Sequence, residues 1–75
     1  MTRQQIIDKW RWIRDSFTQR INLYTSCNNI VKALAETKTP QAALKRLKRE
    51  IQQCSIHCTY DTEQALEILE RDMNR

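Results

Sequence analysis

Apolar residues recur along this chain at helical spacings. From the N-terminus, Ile6, Trp10, Ile13, Phe17, Tyr24, Val31 and Leu34 follow at steps of three, four and seven, which lines them along one stripe of an α-helix. Thr2 with Gln5 fits a capping box ahead of the stripe, the hydroxyl accepting from a first-turn amide and the Gln reaching back. The pattern predicts one long helix from there to about Glu36, with only Arg20 interrupting the stripe. Its weak point is Tyr24 to Asn29, YTSCNN, because Thr, Ser and Asn compete for backbone hydrogen bonds and favour caps over helix interiors. A break at 24–29 would give four helices in place of three.

The next helix has a sharp start. Thr39 is a good N-cap, Pro40 suits the first helical position, and Leu44, Leu47, Ile51, Cys54 and Cys58 follow at steps of three and four. Ile56 would face the other way, so this helix is expected to end between Gln53 and Ser55. A third helix is predicted from Asp61, boxed with Gln64, with Ala65, Leu66, Leu69 and Met73 inward and fraying at Asn74. The fold class is all-α: a small bundle of three helices in a single domain over residues 1–75. A continuous first helix of about 35 residues would span roughly 50 Å, against roughly 20 to 25 Å for each of the others. Either the short helices lie end to end along it, or YTSCNN bends it back, or a second chain covers the remainder.

Composition narrows the classes of function. There is no glycine and one proline in 75 residues, which removes hairpin turns and the backbone cradles that hold phosphates, and with them nucleotide-hydrolysing folds. No run approaches the roughly 18 apolar residues of a membrane span, and the N-terminus is too polar for a secretory signal. Three cysteines are too few for a disulfide framework and leave one thiol over, which points to a reducing, cytoplasmic setting. A chain this short buries only about 60% of its unfolded surface, so a staple or a partner would help it.

Three stretches carry candidate chemistry. In CSIHC, Cys54, His57 and Cys58 could join Cys27 as a zinc ligand set. The spacing lacks a C-x2-C knuckle, so the favoured reading continues Cys54 and Cys58 along the stripe as buried hydrophobes, with His57 capping the helix end. A regulatory disulfide is the third option. In LKRLKRE, Lys45, Arg46, Lys48 and Arg49 could neutralise successive phosphates, helped by Arg11, Arg14 and a net charge of +4. The same four residues lie where an amphipathic helix puts its solvated charges, and the last helix is acidic enough to face them.

In WRWIR, Trp10 and Trp12 cannot share a helix face, since each residue turns by about 100°. Trp12 lines up instead with Leu23 and Ile30 on a second, sparser apolar line. With Arg11 and Arg14 beside it, this line has the composition of an interface hot spot. Packing within the monomer or against a second copy are the competing ways to cover it. One histidine and no paired carboxylates give catalysis little support, a dyad of Cys54 or Cys58 with His57 being the one conceivable pairing, and no cofactor is implied. The expectation is a non-enzymatic regulator, adaptor or inhibitor that binds a larger partner protein, in the style of small phage and plasmid proteins. The alternative is a basic nucleic-acid-binding accessory protein.

Overall fold

The computed structural model describes residues 1–74, which form four helices: α1 (Arg3–Ser16), α2 (Ile21–Glu36), α3 (Pro40–Gln52) and α4 (Tyr60–Met73). There is no strand among the described residues. The all-α class holds, and the first long helix is two. The break lies at Phe17 to Arg20 and not at 24–29, for two physical reasons. Residues 16–22 are all exposed, so no buried side chain resists a turn there. YTSCNN, meanwhile, stays helical because its polar groups find partners: Ser26 Oγ donates to the Asn22 carbonyl at 2.8 Å and meets Thr62 Oγ1 at 2.7 Å.

The turn brings the two halves of the stripe face to face. Ile6, Ile7 and Trp10 of α1 share one core with Cys27, Ile30, Val31 and Leu34 of α2, Leu44 and Leu47 of α3, and Ala65 and Leu69 of α4. Helix α2 is central and packs on the other three, and α3 also packs on α4. Helix α1 leans closely on α2 alone and only marginally approaches α3 and α4. The described residues fit within 28 × 27 × 20 Å, far shorter than a straight first helix.

Helix ends follow the local chemistry, with one shift. The Thr2 and Gln5 capping box is present, and Thr39 caps α3 through Ala42 N–H. Helix α4 begins one cap earlier than predicted: Thr59, not Asp61, accepts from Thr62 N–H. The end of α2 has no basic residue in its last turn, and Arg3 of α1 takes that role from a distance. Its guanidinium donates to the carbonyls of Leu34 at 2.9 Å, Ala35 at 3.3 Å and Thr37 at 3.1 Å. Such donors satisfy orphan carbonyls and complement the helix dipole.

One ion pair joins α4 to α1 and a second joins it to the cap of α2. Asp72 of the acidic last helix is 2% exposed and receives Lys9 Nζ on both carboxylate oxygens at 2.8 Å. At the other end Arg20 lies 3.9 Å from Asp61. Thr62, at the start of α4, meets Ser26 of α2, and nearby Asn28 of α2 accepts from Arg14 near the end of α1, while Asp72 at the end of α4 reaches back to Lys9, so α4 runs antiparallel to α1.

Candidate functional site

Trp12 stands clear of the core. It is rotated about 200° from buried Trp10 and is 71% exposed. The antiparallel register fixes what lies across from it. One turn from Lys9 towards the C-terminus of α1 are Trp12 and Ile13; one turn from Asp72 towards the N-terminus of α4 is Ile68, on the same face as Asp72. Ile68 is 38% exposed and Phe17, at the end of α1, is 37% exposed, while Ile13 is half-buried against the core. Trp12, Ile13 and Ile68 thus each lie one helical turn from the Lys9–Asp72 contact that joins α1 to α4, with Phe17 one turn further along α1, and this side of the bundle is the α1–α4 seam. Ile21 and Tyr60 add exposed apolar surface at the end of the bundle marked by the Arg20–Asp61 pair.

This geometry redistributes the residues that the sequence grouped with Trp12. Ile30 is 2% exposed and belongs to the core, and Leu23 is half-buried against it. With the break at 17–20 they sit on α2, so the second apolar line of a single helix does not exist. Arg11 remains exposed beside Trp12. Arg14 turns away towards α2, with Nε 3.0 Å from Asp15 and Nη1 donating to Asn28 at 3.2 Å. Phe17 and Ile68 replace Leu23 and Ile30. Phe17 was assigned to the buried stripe, and Ile68 had no assignment although it lies one turn from Asp72.

The three cysteines part company. Cys27 is wholly buried in α2, and burial followed by the Asp61 charge pushes its thiol up to about 11. Cys54 and Cys58 are exposed, which corrects their placement on the buried stripe. Helix α3 stops first: Cys54 takes a left-handed backbone, φ 60°, its N–H bonds the Ile51 carbonyl at 3.1 Å and Ser55 N–H bonds that of Glu50 at 2.8 Å. This pair of bonds is the Schellman closure, with Cys54 where glycine usually sits. His57 is exposed in the loop and does not cap α3 through its side chain. Among the described residues no three His, Cys, Asp or Glu side chains are grouped so as to hold a metal, so Cys27, Cys54, His57 and Cys58 form no common ligand set.

Instead, the loop and YTSCNN enclose a polar notch of about 90 Å³, lined by Asn22, Thr25, Ser26, Asn29, Ile56, His57, Thr59 and Thr62. Below it runs a chain of hydroxyls. Ser26 gives its proton to the Asn22 carbonyl, so Thr62 donates to Ser26 at 2.7 Å and Thr59 donates to Thr62 at 3.1 Å. Each proton is used once, and the bonds polarise one another. The chain ties α2 to the start of α4.

The basic face of α3 is partly neutralised. Arg46 pairs with Glu50 at 2.8 Å and Glu36 at 3.3 Å, and its pKa is raised, first by the hydrogen bond to Glu50. Lys48 lies 3.8 Å from Glu70 of the acidic helix. Lys45 and Arg49 remain exposed on the outer face. Arg11 and Arg14 lie on α1, which hardly approaches α3, so they do not extend this face. No helix among the described residues is long and apolar enough to cross a membrane.

No family model, curated protein or solved structure matches this chain.

Proposed function

We propose that this protein is a small helical binding module that docks stoichiometrically on a larger partner protein through the α1–α4 seam, as a regulator, adaptor or inhibitor. It works in the cytoplasm and catalyses no reaction of its own. One observation carries this reading: Trp12 is 71% exposed although the chain's other Trp is fully buried. Trp and Arg are among the residues most enriched at the centres of binding surfaces, and Trp12 follows exposed Arg11 in the chain and is joined by two further exposed apolar side chains, Phe17 on the same helix and Ile68 on α4. An amphipathic helix of a partner is the element whose apolar face would cover these exposed residues.

The test is affinity capture from the native host with three baits: the wild-type chain, Trp12→Ala with Ile68→Ser, and Lys45→Glu with Arg49→Glu. A protein captured in stoichiometric amount by the wild type and the charge-reversed bait, and lost from the seam variant, is the expected result. Capture that survives in the seam variant but vanishes with charge reversal, or that collapses as salt rises, would favour phosphate contacts and a nucleic-acid partner instead.

A further inference from the structure

The connection between α3 and α4 holds two exposed thiols at its two ends. Cys54 is the first residue beyond the cap of α3, and Cys58 immediately precedes Thr59, the cap of α4. Between them the backbone is pinned rather than free. Ser55 and Ile56 N–H both point to the Glu50 carbonyl, at 2.8 and 3.4 Å, and Ile56 packs on the core. Both sulfurs lie on the outside of this arch, four positions apart in the chain.

Backbone chemistry gives no reason for cysteine at position 54. The left-handed conformation suits glycine, and among other residues Asn and Asp, whose side chains bond locally. A thiol does neither. Cys54 is also the one described non-glycine residue with positive φ. Strain of this kind persists where the side chain has its own use. The third thiol is no competitor, since Cys27 is 0% exposed.

We infer that Cys54 and Cys58 form a dithiol modification site that closes into an intramolecular disulfide by exchange with a small disulfide oxidant of the glutathione class. One thiolate attacks the oxidant's disulfide, forming a mixed disulfide and releasing one small thiol. The second thiolate then attacks the protein sulfur of that mixed disulfide, forming the Cys54–Cys58 bond and releasing the second small thiol. Two electrons pass from protein to oxidant, and the two cysteine protons end on the two released thiols. The closed ring contains Ile56 and His57, two walls of the polar notch, so oxidation clamps the end of α3 to the start of α4 beside it.

The experiment equilibrates the full chain with oxidised and reduced glutathione at fixed ratios, then quenches and reads intact mass and alkylation site by site. The expected product is a monomer lighter by two hydrogens, with Cys54 and Cys58 blocked and Cys27 alkylated only after unfolding. The two thiols are four positions apart in one short connection, which gives the second a high effective concentration at the first, so the internal bond should exceed the glutathione adduct by roughly tenfold or more. Cys54→Ser and Cys58→Ser, both at exposed positions, should each stop at a single mixed disulfide. Adducts on both thiols without closure, disulfide-linked dimers in place of closed monomers, or a bond involving Cys27 would each overturn the inference.

Discussion

Single residues in this protein carry costs that a substitution can expose. Cys54 occupies the left-handed position that closes α3, and side chains with a Cβ are disfavoured there by roughly 1 kcal/mol relative to glycine. Cys54→Gly should therefore raise stability by about 1 kcal/mol, read as a higher urea midpoint with an unchanged slope. An equal or lower midpoint would show that the backbone there is not left-handed. Cys27 makes a pH-dependent contribution. Its folded-state pKa is raised from 9.0 to about 11, so the folded state holds this proton more tightly than the unfolded chain does. The resulting stabilisation is complete below about pH 9 and is lost as pH rises towards about 11. Urea titrations across that window should show a steeper decline for the wild type than for Cys27→Ala, whose chain has no thiol there to ionise. Parallel declines would show that Cys27 titrates normally.

At the scale of elements, contacts from outside a helix hold its ends. Arg3 supplies the C-terminal charge that α2 lacks, and hydrogen bonds from a charged group are worth about 1.5 to 3 kcal/mol. Arg3→Met should destabilise by about 1 to 2 kcal/mol, since the guanidinium is only partly buried. Hydrogen exchange should localise the added opening to the last turn of α2. The Lys9–Asp72 pair behaves differently. Lys9→Met strands a carboxylate that is 2% exposed and should cost about 2 to 3 kcal/mol, below the usual figure for a buried pair because Lys9 itself remains partly hydrated. Adding Asp72→Leu should restore most of that loss. If the double variant is no better than the single, the buried charge is not what Lys9→Met exposes.

These elements also show what could be read in advance. The Thr2 and Thr39 caps and the inward positions Ala65 and Leu69 were legible because they depend on neighbours within one helix. The site of the first break was not. Polar YTSCNN looked weaker than the stretch at 17–20, yet its Ser26 is satisfied by Thr62, a partner 36 positions away. Arg3 as a cap for α2 is equally non-local. Asp72 had a local signal, since it lies three and seven positions after Leu69 and Ala65 on the apolar stripe of α4. What lets an acid sit there is Lys9, a partner 63 positions away. For the candidate site, Trp12 and Arg11 were legible as residues without an inward role, whereas Ile68 and Phe17 became their neighbours only once the antiparallel register of α1 and α4 was known.

At the scale of the whole molecule, four short helices around one core leave a seam that this chain does not close. Helix α2 packs on all three neighbours, whereas α1 packs closely on α2 alone. Truncating Trp12 should then leave the fold intact: Trp12→Ala is expected to stay within about 0.5 kcal/mol of the wild type, whatever it does to binding. Oxidative footprinting of the wild-type chain, read separately at its two indoles over a hundredfold range of protein concentration, bears most directly on the open seam. Trp12 should be modified rapidly and at a rate independent of concentration, with Trp10 protected throughout. A Trp12 as protected as Trp10 in dilute solution, or one whose protection grows with concentration, would mean that the fold or a second copy already covers it and that the seam is not open for a partner.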